Sequence, residues 1–472
     1  MKVCSNFAAN FFIPFMAFLN SSYTKATLTL ALPVMLTQVG QVSVNLFDNI
    51  IVGKLLGAQA LASVSLGNAL FFSIFVFALG FSFAIPPLVS EAHSSGKHEV
   101  INSVFRHGFV INMGIGFLLM MLLYALLPLL YHMDQPPEII PDTIGFLSIM
   151  TLSILPFMAF QTLREVSEGL SFTIGVTKAT IIANIINIIL NYVFIKGMFG
   201  FPPMGVKGSA LASLIARIFL MVFLYYVLVK EDKTRRYVKA FSLKIAEFSR
   251  DMFRKMLKIG FPTALQMFFE VTAFAAAAFI CGLVSSKDIA SHQIALSMAS
   301  FTFNLCIGFS VASTVMIGRK VGEQKYGELK EVGINNLKMV FLFMIFCGLI
   351  FVVGRHILPT FFTKKEDVEV IQLAAKLMII AALFQLSDGV QVVALGCLRG
   401  IQDVKIPSII TFIAYWVITI PLGYVLCVPL KMGAFGMWIA LGLGLTVSAV
   451  LLVIRFLKLS QRKIEMGKSS SF

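Results

Sequence analysis

Apolar segments of about 20 residues or more recur twelve times along this chain, each long enough to cross the roughly 30 Å hydrocarbon layer of a bilayer. They are read at 27–52, 60–90, 104–131, 141–164, 177–196, 206–229, 257–283, 289–317, 334–361, 370–395, 405–429 and 433–456. Lipid offers the backbone no hydrogen-bond partners, so spanning segments of this length must close their bonds internally and are helices. Composition agrees: 58% of the 472 residues are hydrophobic and 13% charged, against about 45–50% and 25% in soluble domains.

The second half repeats the first. Ala78-Leu79-Gly80-Phe81-Ser82-Phe83-Ala84 recurs as Cys306-Ile307-Gly308-Phe309-Ser310-Val311-Ala312, an offset of 228, and Pro33 answers Pro262 at 229. Met204-Gly205 and Met432-Gly433 share the offset of 228. Six spans per repeat preserve orientation, so the halves are parallel repeats, and such repeats usually hold their site between them near the midplane. The expected fold is an all-α polytopic membrane protein of twelve transmembrane helices in two six-helix repeats around a central cavity. Its parts are an N-terminal segment at 1–26, an N-lobe at 27–229, a basic cytoplasmic linker at 230–256, a C-lobe at 257–456 and a cytoplasmic tail at 457–472. The first segment is read as a short interfacial stretch or an over-long start.

A net charge of +15 could mark a nucleic-acid surface, but most Lys and Arg fall in the loops that are cytoplasmic if both termini are. That is the positive-inside rule, so no nucleic-acid partner is expected. The densest block, from Lys230 to Lys258, could rest on anionic headgroups. Six scattered cysteines form neither a disulfide framework nor a zinc site, and there is no HExxH and no phosphate loop of the form GxxxxGK[ST]. No enzyme activity and no cofactor are expected, and energy must come from an ion gradient. The GxxxG matches at Gly53, Gly318 and Gly396 lie at span ends and read as turn or close-packing glycines.

Polar residues at helical spacing interrupt the apolar pattern. Gln38, Gln41, Asn45 and Asp48 line one face of the first span, Asn187 and Asn191 one face of the fifth, and Gln266 and Glu270 one face of the seventh. Gln385, Asp388 and Gln391 do so in the tenth. Helix–helix hydrogen bonding could account for some of them, whereas buried acids point to a hydrated cavity. Asp48, Glu270 and Asp388 are read as the only acids deep in the spans; each costs roughly 2.5–3.5 kcal/mol to insert and must be neutralised by a proton or a bound cation. Carboxylate, carboxamide and hydroxyl oxygens suit a hard cation, so sodium is preferred to a proton and a transition metal is excluded. Pro33 and Pro262 are hinges or static bends. Arg217 either snorkels or pairs with an acid. Phe384, one turn before Asp388, should share the face of that acid and line an apolar pocket.

These residues carry a resemblance. Phe261-Pro262 through Phe269-Glu270-Val271-Thr272, then Ala290-Ser291-His292-Gln293-Ile294-Ala295-Leu296, Val321-Gly322-Glu323-Gln324, and Asp388-Gly389-Val390-Gln391 through Leu398-Arg399-Gly400 resemble the multidrug and toxic compound extrusion (MATE) family in its NorM-like branch. Leu46-Phe47-Asp48-Asn49 and Asn187 through Asn191 match it in the first half. The resemblance covers essentially everything after residue 25. It implies two lobes around a V-shaped cavity, exchange of drug-like and often cationic substrates for sodium or protons, and cation coupling through Glu270 and Asp388 in the C-lobe and Asp48 in the N-lobe. Phe384 departs from it, standing where some relatives have tyrosine.

The combined expectation is a cation-coupled multidrug antiporter, acting as a monomer in the lipid bilayer of the bacterial cytoplasmic membrane with both termini cytoplasmic. Glu270 and Asp388 form the main sodium site, and Asp48, Asn187 and Asn191 a second. Gln38, Gln41, Asn45, Gln266, Phe384 and Gln385 line the cavity, with hinges at Pro33 and Pro262. A lipid or lipid-linked oligosaccharide flippase is the alternative.

Overall fold

The computed structural model describes residues 21–132, 136–363 and 366–469; the N-terminal stretch read as interfacial lies almost wholly outside them. The first lobe contains α1 (Ser22–Leu56), α2 (Ala58–Ser82), α3 (Ile85–Ser94), α4 (His98–Leu126), α5 (Ile140–Leu152), α6 (Ile154–Gly169), α7 (Ile174–Lys196) and α8 (Gly205–Lys230). A short α9 (Asp232–Lys239) lies in the linker. The second lobe contains α10 (Arg250–Val284), α11 (Ser286–Gly322), α12 (Leu329–Gly354), α13 (Val368–Gly400), α14 (Lys405–Phe412), a π-helical turn (Ile413–Thr419), α15 (Ile420–Cys427) and α16 (Gly433–Ser469). Among the described residues, eleven apolar spans, with the bent pair α5–α6 as one more, make twelve. α16 continues without a break into the segment expected as a tail, as far as Ser469. The linker does not simply lie on headgroups: Tyr237 and Val238 are buried in the N-lobe core, and Arg106 pairs with Glu247.

The bend of 40° between α5 and α6 has a local cause. Pro156 lacks the N–H that would bond the Leu152 carbonyl four residues back, so the ladder opens there. The fourth span also runs further than its apolar stretch, to Gly169, and carries Arg164, Glu165 and Glu168 into the interior.

Each lobe borrows a helix end from the other. Leu30, Ala31, Val34 and Met35 of α1 belong to a core built otherwise from α11, α12, α13 and α16. Met256 and Ile259 of α10 belong to the core of the N-lobe. Pro33 lies near the residues where α1 passes from one lobe to the other, and Pro262 near the equivalent point of α10; both helices run unbroken through them.

The repeated Gly-Phe-Ser motif marks these crossings. A Cβ on Gly80 would lie 2.2 Å from the Cα of Ala264, and one on Gly308 would lie 2.8 Å from the Ala31 carbonyl oxygen, so only glycine admits the neighbouring backbone at either place. Inter-lobe hydrogen bonds gather at the same end: Tyr23 to Glu328, Thr27 to Asn336, Arg319 to Ser171 and Gln402 to Glu91. So do the ring contacts of Phe77 with Phe261 and Phe268. Gly318 and Gly322 abut Ser90 and Ser94 there, as close-packing glycines. The lobes thus join near the start of α1 and the end of α11, and no hydrogen bond or ring contact joins them at the opposite end among the described residues.

Gly80→Val is expected to wedge this joint apart. Spin labels at Lys97 and Lys325, both exposed at the joined end, should report a longer and broader distance distribution in a background without native cysteines. An unchanged distribution would mean that the close crossing does not hold the lobes together.

Candidate functional site

Two polar centres lie in the interior, one per lobe. In the N-lobe, α1 and α7 run side by side, and the Asp48 carboxylate accepts from Asn191 Nδ2 at 2.8 Å and from Ser213 Oγ of α8 at 3.3 Å. Asn187 Nδ2 donates to the same serine oxygen at 3.2 Å, and Asn191 also reaches Asn187 Oδ1 at 3.2 Å. The polar stripes of the first and fifth spans therefore meet each other. Ser213, which joins them, escaped the sequence reading; its signal is the spacing of Ser209, Ser213 and Arg217, which puts all three on one face of α8. Asn191 Oδ1 is buried without a hydrogen-bond partner, leaving an acceptor oxygen beside the carboxylate.

This centre lies on the wall of a cavity of about 450 Å³, lined also by Gln41, Asn45, Asn68, Phe72 and Arg217. Gln38 is buried and is not on that wall. Arg217 does neither of the things expected of it. It sits midway along α8, donates to Ser153 Oγ at 2.6 Å, and lies between the rings of Phe71 and Phe157, with no carboxylate at ion-pairing distance among the described residues. Ser153, fully buried, stands at the bend between α5 and α6.

In the C-lobe, Glu270 Oε1 accepts from Gln391 Nε2 at 3.2 Å and from the Tyr415 hydroxyl at 3.3 Å. Gln391 also donates to Tyr415 at 3.1 Å, and Gln266 reaches the same carboxylate from one turn back. Asp388 is 3% exposed and lies near enough to couple electrostatically to Glu270. Tyr415 was missed in the sequence. It stands in the π-helical turn, and such turns, with their extra residue, often re-aim a side chain at functional sites. Its phenol supplies a hydroxyl that Phe384 lacks.

Phe384 is not on the wall of the N-lobe cavity: it packs edge-on against Phe274 and Trp438 in the C-lobe core. Gln385, expected in the cavity, is fully buried and donates to the Met344 carbonyl oxygen at 3.3 Å, tying α13 to α12. Phe384 and Gln385 lie within one turn of Asp388 and near its face, but α13 packs closely on α12 and α16, and those helices cover both side chains.

The donors available at Glu270 and Asp388 are oxygens only. Gln391 Oε1 is buried with no partner, so two carboxylates and an orphaned amide oxygen are available to a hard cation, and no group of three His, Cys, Asp or Glu side chains suited to a softer metal occurs among the described residues.

A third charged cluster escaped the sequence reading, which placed only three acids in the spans. Arg164 Nε donates to Glu168 Oε1 at 2.7 Å, one turn on. Glu165 is 1% exposed and neither oxygen has a hydrogen-bond partner; its electrostatic neighbour across the lobe joint is Arg399, which lies over the ring of Phe83. These residues stand at and beyond the end of the apolar stretch, and the packing of α6 against α3, α4 and α8 encloses the helix.

Two related lobes, each with a buried acid among amide and hydroxyl groups inside the apolar spans, define the architecture of a two-repeat membrane transporter. The MatE family model matches residues 33–193 and 262–425, one segment in each lobe. The chain is 34% identical over 436 residues to the multidrug resistance protein NorM of Photobacterium profundum, covering 92% of this chain and 94% of that one. It is 32% identical over 439 residues to the multidrug resistance protein MdtK of Yersinia pseudotuberculosis, covering 91% and 94%. The crystal structure of the eukaryotic MATE transporter AtDTX14 superimposes with a TM-score of 0.85 at 17% identity, covering 95% of this chain and 99% of that one. This chain belongs to the MATE family.

Proposed function

We propose that the protein exports drug-like, often cationic organic molecules across a bacterial cytoplasmic membrane in exchange for an inward-moving cation. The observation that carries this reading is the C-lobe centre: two carboxylates, Glu270 and Asp388, share a buried site with an unpartnered amide oxygen and no ion-paired base among the described residues. Two such acids need a proton or a cation between them. Sodium is the preferred coupling ion because the donor set is oxygen-only. The Asp48 centre, with Asn187 and Asn191, is a second cation site or a proton-sensitive switch. Multidrug resistance, stated in the names of relatives in Photobacterium and Yersinia, supports the substrate class.

Basic residues at the joined end, among them Lys320 and Lys325, favour the cytoplasm for that side. The structure then corresponds to a state shut toward the cytoplasm. Cation binding shifts the access equilibrium only by its differential affinity for the two states. Pro33 and Pro262, near the changeover points of α1 and α10, are the proposed hinges.

Proteoliposomes preloaded with an ethidium-like dye test the coupling ion. Efflux is expected to start on an inward sodium step at constant pH. Efflux that follows a pH step and ignores sodium would transfer the coupling role to the proton.

A further inference from the structure

Arg399 lies within electrostatic reach of one acid in each lobe. We propose that it is the positioning residue through which the C-lobe acid centre controls the lobe joint. Neutralising Glu270 leaves the guanidinium to Glu165 and holds the lobes together; opening the joint returns it to Glu270, where it expels the coupling cation. The proposal rests on the export reading above and adds the element by which cation binding biases access.

The buried charges of the joint leave one acid and one base over. Arg164 is taken by Glu168 at 2.7 Å, so Glu165, 1% exposed and with neither oxygen hydrogen-bonded, has no free base on its own helix. The base it feels beyond that pair is Arg399, in the last turn of α13. Arg399 has no carboxylate at ion-pairing distance among the described residues, and its Nε is buried without a partner. Its electrostatic neighbours are Glu270 of its own lobe and Glu165 of the other. Charges act over several ångströms in a low-dielectric interior and are costly there when unpaired, so two acids in reach of one guanidinium compete for it.

The surroundings turn this competition into a mechanical one. The guanidinium carbon lies 5.0 Å from the ring centroid of Phe83, the residue that ends α2 in the N-lobe, so Arg399 straddles the joint. Inter-lobe bonds stand near it: Gln402 donates to Glu91, and Arg319 of α11 donates to Ser171, just past the end of α6. The backbone of α13 is fixed to α11, because Gly396 and Gly400 sit against the Ser310 and Thr314 carbonyl oxygens. The side chain is therefore the part that can turn. Parting the lobes takes Phe83 and Glu165 away and leaves Glu270 as the acid that Arg399 meets. A guanidinium drawn there repels a cation held by Glu270 and Asp388, which gives the cation the lower affinity in the open state that coupling requires.

The labelling rate of a buried cysteine at the joint reads the open population without any transport. Ser90, fully buried against Gly318 of the other lobe, supplies the position as Ser90→Cys in the full-length protein, in nanodiscs and otherwise free of cysteines. Relative to that parent, the rate of modification by a water-soluble maleimide is expected to rise at least about fivefold with Glu165→Gln and to fall by a similar factor with Glu270→Gln. With Glu165→Gln or Arg399→Gln in place, Glu270→Gln should no longer change the rate, whereas Arg399→Lys, which keeps the charge, should preserve its effect. A rate unmoved by Glu165→Gln or by Glu270→Gln in the parent, or a Glu270→Gln effect that persists without Arg399, would overturn the proposal. Sodium titration of the parent separates this result from the export reading. A rate that falls with sodium supports both, and a Glu270→Gln effect with no sodium response keeps the Arg399 link while removing sodium as its trigger.

Discussion

Glu270→Gln is expected to reduce gradient-driven dye export by on the order of 100-fold, at the upper end of what a coupling free energy of 1–3 kcal/mol supports. The substitution keeps the side-chain volume, and its amide oxygen can still accept from Gln391 and Tyr415, the two donors on Oε1. Only the charge that a coupling cation would neutralise is lost. Protein yield and melting temperature should therefore stay near wild type while the sodium response of efflux disappears. Full resistance to dyes in a host stripped of its own pumps would refute a coupling role for Glu270.

Arg164→Met is expected to destabilise the protein by about 3–5 kcal/mol, the usual effect of removing one partner of a buried ion pair. The reason is Glu168, whose Oε1 accepts from Arg164 at 2.7 Å and whose other oxygen has no partner. With Glu165 beside it, the variant would leave two carboxylates in the interior of the lobe. Adding Glu168→Leu to Arg164→Met should recover part of the loss, since it removes one of the two carboxylates left uncompensated and leaves Glu165. Thermal unfolding in detergent reads both effects. Equal destabilisation by the single and double variants would show that packing around α6, and not the orphaned charge, sets the cost.

The polar centres were legible in sequence to different depths. Asp48, Asn187 and Asn191 stand at helical spacing in apolar segments, and that spacing alone puts each set on an inward face. That two such faces meet, with Asn191 donating to Asp48 at 2.8 Å, depends on which helices are neighbours. Tyr415 was invisible because nothing in its local pattern signals a π-helical turn. Phe384 and Gln385 were assigned to the cavity because helical spacing puts them on the face of Asp388, yet they meet Trp438 and Met344. The charged end of α6 was misread because hydropathy ends a span where charges begin, whereas packing against α3 continues the buried helix to Gly169.

The twelve apolar segments, the repeat and the buried acids by themselves determined a two-lobed helical membrane protein, because hydrocarbon thickness and backbone hydrogen bonding leave no other solution for such segments. Only the tertiary structure decided that α1 and α10 exchange their first halves between lobes, that Gly80 and Gly308 are the crossing points, and that Arg217 faces a cavity and pairs with no acid. The physical reason is that helix period says which residues share a face, while the identity of the facing surface depends on contacts between segments far apart in the chain. Lipid makes every polar face turn inward. Packing alone chooses what it meets there.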